Sequence, residues 1–525
     1  MFINPGNELF QRSRNSEVYV DKSGLIGFTN NALGTESSFL CVSRPRRFGK
    51  TMAANMIAAY YDRSCDSEKL FSGLEIADDP SFRKYLNKYY VIKLDIAGFI
   101  AGMDQRHGIA TALSKALLLE LSSVFSKIAP CDHASLSVSL AGIYSATGIP
   151  FVFVIDEWDA VFRECPNDIE EQNAYLNLLR SIFKNSSVSQ SVALCYMTGI
   201  LPVKKYNTQS ALNNFSEFTM LDPLVLAPYV GFSEPEVKSL CKEHDMNFDA
   251  MKRWYDGYSF SNTHSIYSPY SVVQAVRFHK IKNYWTDTSS FDDAKDYINM
   301  DFDGLREDVT RMIAGERCRV NTRSFQNDFI TLHTKDQVMT LLIHLGYLAY
   351  DEENREAYIP NLEVSERMAD SVACSDWGFA TKALSDSMDL LKATWAGDET
   401  KVASIADASH DQLSSFITYS SESDLAVVIR VAYYAASRYY LVRREFSSGK
   451  GYADAAFVPR VGCDVIPMII ELKWNRSVDE GIVQINRKKY MSFFEDYSKV
   501  IVCCIDYSTD DKEHRCRIDT VSKGV

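Results

Sequence analysis

The chain has no surplus of positive charge. Its 525 residues carry 56 Lys and Arg against 69 Asp and Glu, a net charge of −13. That argues against a protein that coats nucleic acid indiscriminately, although a local basic groove remains compatible with it. Nor is there an uncharged apolar run of the roughly 20 residues that crossing a bilayer requires. Asn4, Pro5, Asn7 and Glu8 interrupt the first ten residues, so no secretory leader is expected there. The twelve cysteines are scattered, with Cys503-Cys504 the one adjacent pair, and none falls in a C-x-x-C or Cys/His cluster of zinc spacing. Reduced thiols in a soluble, cytoplasmic protein are the expectation, with no membrane partner. Long Gly/Ser linkers, low-complexity tracts and clear repeats are also missing. A hydrophobic content of 46% over this length is ample for roughly two to four packed domains.

What is present begins with Arg44-Pro45-Arg46-Arg47-Phe48-Gly49-Lys50-Thr51. The apolar run Phe39-Leu40-Cys41-Val42 precedes it and Met52-Ala53-Ala54-Asn55-Met56-Ile57 reads as a helix after it. Strand, tight turn and helix N-terminus form a phosphate cradle: backbone N–H groups face the anion, Lys50 reaches the terminal phosphates, and Thr51 holds Mg²⁺. The usual first glycine is absent, since Arg44 stands in its place, and Pro45 removes a donor. A second run, Phe151-Val152-Phe153-Val154-Ile155, ends in Asp156 and Glu157. At such a strand end the first acid assists Mg²⁺ and the second polarises the attacking water; taken alone, the pair also fits a solvated strand end. ATP binding with Mg²⁺ is the expectation. Thr198, closing the run Val192 to Met197, is the candidate sensor of the γ-phosphate, with a turn-starting threonine as the alternative.

Organisation follows the same patterns. Strand-like runs at Ser38 to Val42, Tyr90 to Leu94, Phe151 to Ile155 and Val192 to Met197 alternate with helical segments such as Ile109 to Phe125. That alternation predicts an α/β domain, residues 1–220, with a mostly parallel sheet covered on both faces. Residues 221–407 read as a mostly helical lid or connector, with aromatic-rich segments at Trp254 to Tyr258 and Tyr267 to Tyr270. Packed turns explain those aromatics better than a ligand platform. Residues 408–525 read as α-β-β-β-α-β: helix Leu425 to Ser437, strands Arg438 to Phe446, Tyr452 to Val458 and Val465 to Trp474, helix Val478 to Phe494, and strand Lys499 to Asp506.

That last unit holds a second constellation, Asp454 with Glu471-Leu472-Lys473. Period two puts Glu471 and Lys473 on one strand face. If the strand of Asp454 is its neighbour, the two carboxylates meet and coordinate Mg²⁺, or Mn²⁺, through oxygen. Lys473 then orients or activates water. Gln484 is placed to bind the water or the scissile strand, and Arg487, Lys488 and Lys489 to follow a phosphate backbone. Glu445 is a weaker additional acid. Asp-x(16)-Glu-x-Lys by itself also describes a surface ion pair; the order of elements and the Gln-bearing basic helix favour the chemical reading.

Together these segments resemble a known architecture. Val18-Tyr19-Val20-Asp21-Lys22-Ser23, the Arg-Pro-Arg-Arg-Phe-Gly-Lys-Thr block, Ile155-Asp156-Glu157 and Thr198-Gly199 followed by Leu212-Asn213-Asn214 resemble the AAA-ATPase-like family. That family's P-loop habitually lacks the first glycine. The C-terminal part resembles the PD-(D/E)xK nuclease domain that accompanies it, except that Ala453 stands where a proline is usual. The resemblance implies a P-loop ATPase fused to a Mg²⁺-dependent nuclease acting on DNA or RNA, of a mobile-element or defence type. The competing class is a nucleotide-dependent switch or scaffold whose nuclease fold binds nucleic acid or a protein partner without cutting. A third reading, an oligomeric ring motor, requires an arginine donated in trans; Arg46, Arg47, Arg163 and Arg180 are the candidates. Arg44, Arg46 and Arg47 acting on phosphate in cis is the alternative use of those side chains.

Overall fold

All four N-terminal runs read as strands join one parallel sheet in the computed structural model. The structure describes residues 2–127, 135–203, 205–206, 209–210, 212–260, 263–285, 298, 302–325, 332–373, 378–413, 421–448, 451–460, 463–487, 494 and 497–522. The chain divides into two units, residues 1–289 with 319–364, and residues 290–318 with 365–525.

In the first unit the elements that build the site are β1 (Phe39–Ser43), α1 (Lys50–Tyr61), β2 (Tyr90–Asp95), α2 (Ile109–Phe125), β3 (Phe151–Asp156), β4 (Val192–Gly199), β5 (Ser216–Phe218) and α3 (Pro269–Arg277). Every residue of β3 and β4 is buried, which is why these strands read as unbroken apolar runs: helices cover both faces. On one face α2 presents Ile109, Leu113, Leu117 and Leu121 at helical spacing. On the other, α1 packs Ala54, Ile57, Ala58 and Tyr61. The strand order is β2-β3-β4-β1-β5, all parallel. The sequence reading did not include β5, whose three residues are too short to carry a period. The order places β4 between the phosphate-turn strand and the acid strand, so Thr198 ends between the two.

The second unit contains α4 (Glu422–Ala432), β6 (Tyr440–Ser448), β7 (Gly451–Pro459), β8 (Met468–Trp474), α5 (Val478–Arg487), β9 (Lys499–Ser508) and β10 (Glu513–Ser522). Its sheet runs β6-β7-β8-β9-β10, with β8 and β9 parallel and the other pairs antiparallel. The α-β-β-β-α-β order is as the sequence predicts, with two adjustments. The first helix stops at Ala432 and continues as a 3₁₀ turn, Tyr434–Arg438, and a fifth strand, β10, covers the far edge. The predicted helix beyond 487, with Lys488 and Lys489, lies outside the described residues. Leu472, Ile470 and Ile505 point to one core, and Ile469, Val502 and Cys504 to the other, beneath α5.

Candidate functional sites

The first site is a cavity of about 950 Å³ in the first unit, at the C-terminal end of its parallel sheet. Arg46, Arg47, Gly49, Lys50, Thr51 and Glu157 line it together with Tyr19, Tyr229, Phe232, Tyr270 and Val273. The turn closes because Arg47 and Gly49 both take left-handed backbone, φ 69° and 78°; Gly49 then sits at the N-terminus of α1. Lys50 is almost fully buried, and its ammonium donates to the carbonyls of Arg44 (3.1 Å) and Pro45 (2.9 Å). Burial pushes its pKa down to about 8 despite the fields of Glu157, Asp159 and Asp156.

The structure brings the predicted partners together. Burial raises the pKa of the Asp156 carboxyl, outweighing the Thr51 hydroxyl and the Lys50 charge, which act to lower it. Asp156 also accepts the Glu157 N–H at 3.1 Å. The Thr198 hydroxyl is buried and has no hydrogen-bond partner among the described residues. Arg44 does not line the cavity. It is buried beneath the turn, its N–H donates to the Gly199 carbonyl at 2.8 Å, and burial lowers its guanidinium to about 10. Arg180 is exposed and donates to Asn177 at 3.1 Å.

Two residues that were not singled out as site acids or clamps fix the carboxylate end. Arg163 bonds Glu157 at 2.6 Å and reaches Asp159 at 3.5 Å. Asp159, fully buried, accepts the N–H groups of Ile200 (3.1 Å) and Leu201 (3.0 Å) just past β4. Ser43 donates to the Leu201 carbonyl at 2.8 Å. Burial works to raise the Glu157 carboxyl, but Arg163, with Lys50 and Arg46 behind it, outweighs that and holds it below its ordinary value. Nothing in the sequence signalled Asp159, because the N–H groups it accepts lie some forty residues away. Arg163→Met, which leaves two carboxylates without their shared cation, is expected to cost on the order of 3 kcal/mol of stability. Urea unfolding checks this, and a variant as stable as the parent shows that the clamp is dispensable.

The second site lies on the α5 side of the C-terminal sheet. The antiparallel register Ala455↔Ile470 and Ala456↔Ile469, continued by one step, sets Asp454 opposite Glu471. Asp454 Oδ2 accepts the Leu472 N–H at 2.7 Å, and Lys473 Nζ donates to Glu471 Oε1 at 2.8 Å. Glu471 is 1% and Lys473 6% exposed, so these charges sit in the sheet and not on a solvated surface. Burial works to lower the Lys473 ammonium; the hydrogen bond and charge of Glu471, with Asp454 and Glu422 behind, outweigh it and hold it high. Asp506, paired in register with Lys473 on β9 and also buried, is a neighbour the sequence reading left out. Gln484 lies on α5, and Glu445 on β6; their side chains fall outside the described part of the structure. Among the described residues no three His, Cys, Asp or Glu side chains gather into a metal cluster. Two opposed carboxylates suit Mg²⁺, which keeps several waters and takes few protein oxygens.

A Cβ added to Gly481 of α5 would stand 2.1 Å from Cys504 Sγ, so the absence of a side chain lets α5 approach β9. Gly481→Ala is expected to lower stability by about 1–3 kcal/mol. Cys504→Ala in the same chain should restore most of that loss, as thermal melts of the single and double variants will show.

A parallel sheet with a Gly-Lys-Thr cradle, an acid strand and an intervening strand defines the first unit as a P-loop ATPase fold; the mixed sheet carrying Asp454, Glu471 and Lys473 fits the PD-(D/E)xK fold. Residues 6–208 match the family described as Predicted AAA-ATPase, AAA-ATPase_like, and residues 426–517 match the PD-(D/E)XK nuclease superfamily, PDDEXK_9. The chain therefore carries an AAA-ATPase-like domain followed by a PD-(D/E)XK superfamily domain. Among solved structures, the Walker-type ATPase PABY2304 of Pyrococcus abyssi is 13% identical, with a TM-score of 0.35, over 66% of this chain and 96% of that one. The ORC2 protein of Aeropyrum pernix, in ADPNP–ADP complexes, is 10% identical, with a TM-score of 0.28, over 71% and 98%. No curated protein matches the chain.

Proposed function

We propose that the protein is an ATP-binding ATPase coupled to a Mg²⁺-dependent nuclease that cuts phosphodiester bonds in DNA or RNA. The observation that carries it is the opposition of Asp454 to the buried Glu471–Lys473 pair, in a chain whose Lys50, Thr51 and Glu157 line one cavity.

In the first site the turn N–H groups and Lys50 hold phosphate, with Arg46 at the cavity edge. Thr51 and Asp156 are the residues that would hold Mg²⁺, Glu157 polarises water, and Thr198 answers to the terminal phosphate. In the second, Asp454 and Glu471 are the Mg²⁺ or Mn²⁺ ligands; the ion supplies charge neutralisation at phosphorus. Lys473 orients the attacking water and offsets negative charge, and Gln484 contacts the water or the strand. The setting proposed is cytoplasmic, in a mobile-element or defence system, as domains 1–220, 221–407 and 408–525. No helix among the described residues is long and apolar enough to cross a membrane.

The test is cleavage of a mixed panel of labelled DNA and RNA, with Mg²⁺ or Mn²⁺ and with or without ATP. A second reading, a nucleotide-dependent scaffold that binds without cutting, draws on the same Lys473–Glu471 bond, in which the lysine neutralises the acid. Nucleotide bound with no cleavage by the parent protein would favour it.

A further inference from the structure

Three side chains of the phosphate turn face a segment far downstream. Phe48 meets Tyr258 edge-on, with ring centroids 5.3 Å apart, and Trp285 at 6.2 Å. Pro45 packs against Gly346, where a Cβ would come within 2.8 Å of the proline ring. The Arg47 guanidinium lies 4.1 Å from the centre of the Tyr270 ring and donates to the Tyr284 carbonyl at 3.1 Å. Behind these stands Glu363, fully buried. Its carboxylate accepts the Ser271 hydroxyl (2.7 Å) and the N–H groups of Tyr284 (2.6 Å) and Trp285 (3.0 Å). Arg47 supplies the cationic field that opposes the effect of burial on this acid.

Ser271 and Tyr270 belong to α3, and α3 contributes Pro269, Tyr270, Val273 and Arg277 to the cavity wall beside the turn. The AAA-ATPase-like match ends at residue 208, so this wall comes from chain beyond the matched domain. A guanidinium stacked on a ring is a directional contact, and a buried carboxylate holding two backbone N–H groups fixes the segment that carries it.

We propose that Arg47 is a positioning residue: stacked on Tyr270 and tied to the segment ordered by Glu363, it anchors α3 against the phosphate turn and thereby builds the wall that selects the nucleoside end of the ligand. The proposal rests on the ATP-binding reading of the cavity. It separates two roles inside the arginine-rich block, with Lys50 answering to phosphate and Arg47 to the part of the ligand beyond it.

Binding of ADP and of inorganic pyrophosphate by the full chain separates these roles. The measurement compares the parent with Arg47→Ala, Tyr270→Ala, Tyr270→Phe and Lys50→Ala, each first shown to melt cooperatively. Arg47→Ala and Tyr270→Ala are expected to bind ADP about tenfold more weakly while binding pyrophosphate as the parent does. Tyr270→Phe, which keeps the ring, should restore the preference for ADP. Lys50→Ala should weaken both ligands together. Equal weakening of ADP and pyrophosphate in Arg47→Ala would make Arg47 a direct phosphate ligand and overturn the proposal, as would an unchanged ADP affinity in Arg47→Ala and Tyr270→Ala. A parent protein that binds neither ligand would instead remove the ATP-binding reading on which the proposal stands.

Discussion

Glu471→Gln is expected to lower metal-dependent cleavage of labelled DNA or RNA by about a hundredfold or more, because it removes one of two opposed carboxylates at the site. The substitution keeps the shape of a side chain that is 1% exposed, so the loss reports charge and not packing. It also takes from Lys473 its hydrogen-bonded counter-ion. Burial alone lowers the lysine's pKa, and without Glu471 the main opposing influence is gone. The variant should therefore lose both a proposed metal ligand and the group that does most to hold the neighbouring ammonium's pKa high. Glu480→Gln, at an exposed position of α5, is the matched control and should cut as the parent does. A Glu471→Gln protein that cuts at the parental rate removes the nuclease assignment. A parent that never cuts, yet binds nucleotide, leaves the scaffold reading.

Lys50→Met should weaken ADP binding by about a hundredfold, since the proposed function makes this ammonium the phosphate contact of the turn. The same substitution has a pH signature. In the folded protein burial holds the Lys50 pKa at about 8, below its ordinary 10.5. The unfolded chain thus binds more protons between those two values, and stability rises with pH across that window. Below about pH 8 the folded protein carries the full cost of the buried charge, so nucleotide-free Lys50→Met should melt higher than the parent there, with the gap closing toward pH 10.5. Phosphate restores the charged form, so ADP binding near pH 8 to 9 should take up protons. Calorimetry in buffers of different ionisation enthalpy measures that uptake; Lys50→Met should show none, and a parent without uptake would contradict the buried-ammonium account.

The readable parts of the sequence were those whose partners are close along the chain. The strand, turn and helix around Gly49 announce themselves because backbone conformation and apolar period change within a dozen residues. Glu471 and Lys473 share a face by strand geometry alone, and β3 and β4 read as buried because nothing polar interrupts them. Their relation to the rest of the molecule was not written locally. That β4 separates β1 from β3, and so sets Thr198 between turn and acids, depends on which strands pair. Asp454 meets Glu471 only in one register of β7 on β8; a slip of one residue would turn it to the opposite face.

The cavity wall is the clearest case. Tyr270 stands in a run whose aromatics read as packed turns, and Tyr255, Tyr258 and Tyr267 are indeed buried, yet Tyr270 lies beneath Arg47, more than two hundred positions away in the chain. Glu363 gave no signal at all, for a lone glutamate opening a helix normally faces water. By itself the sequence determined the Gly-Lys-Thr turn, the Glu471–Lys473 pair and the kinds of sheet that carry them, since propensity, period and turn chemistry act over a few residues. Only the tertiary structure decided the clamp of Arg163 on Glu157, the register at Asp454 and the cavity wall that α3 builds beside Arg47. Those depend on which distant surfaces exclude water together, and burial then sets the protonation and the partners of the charges trapped between them.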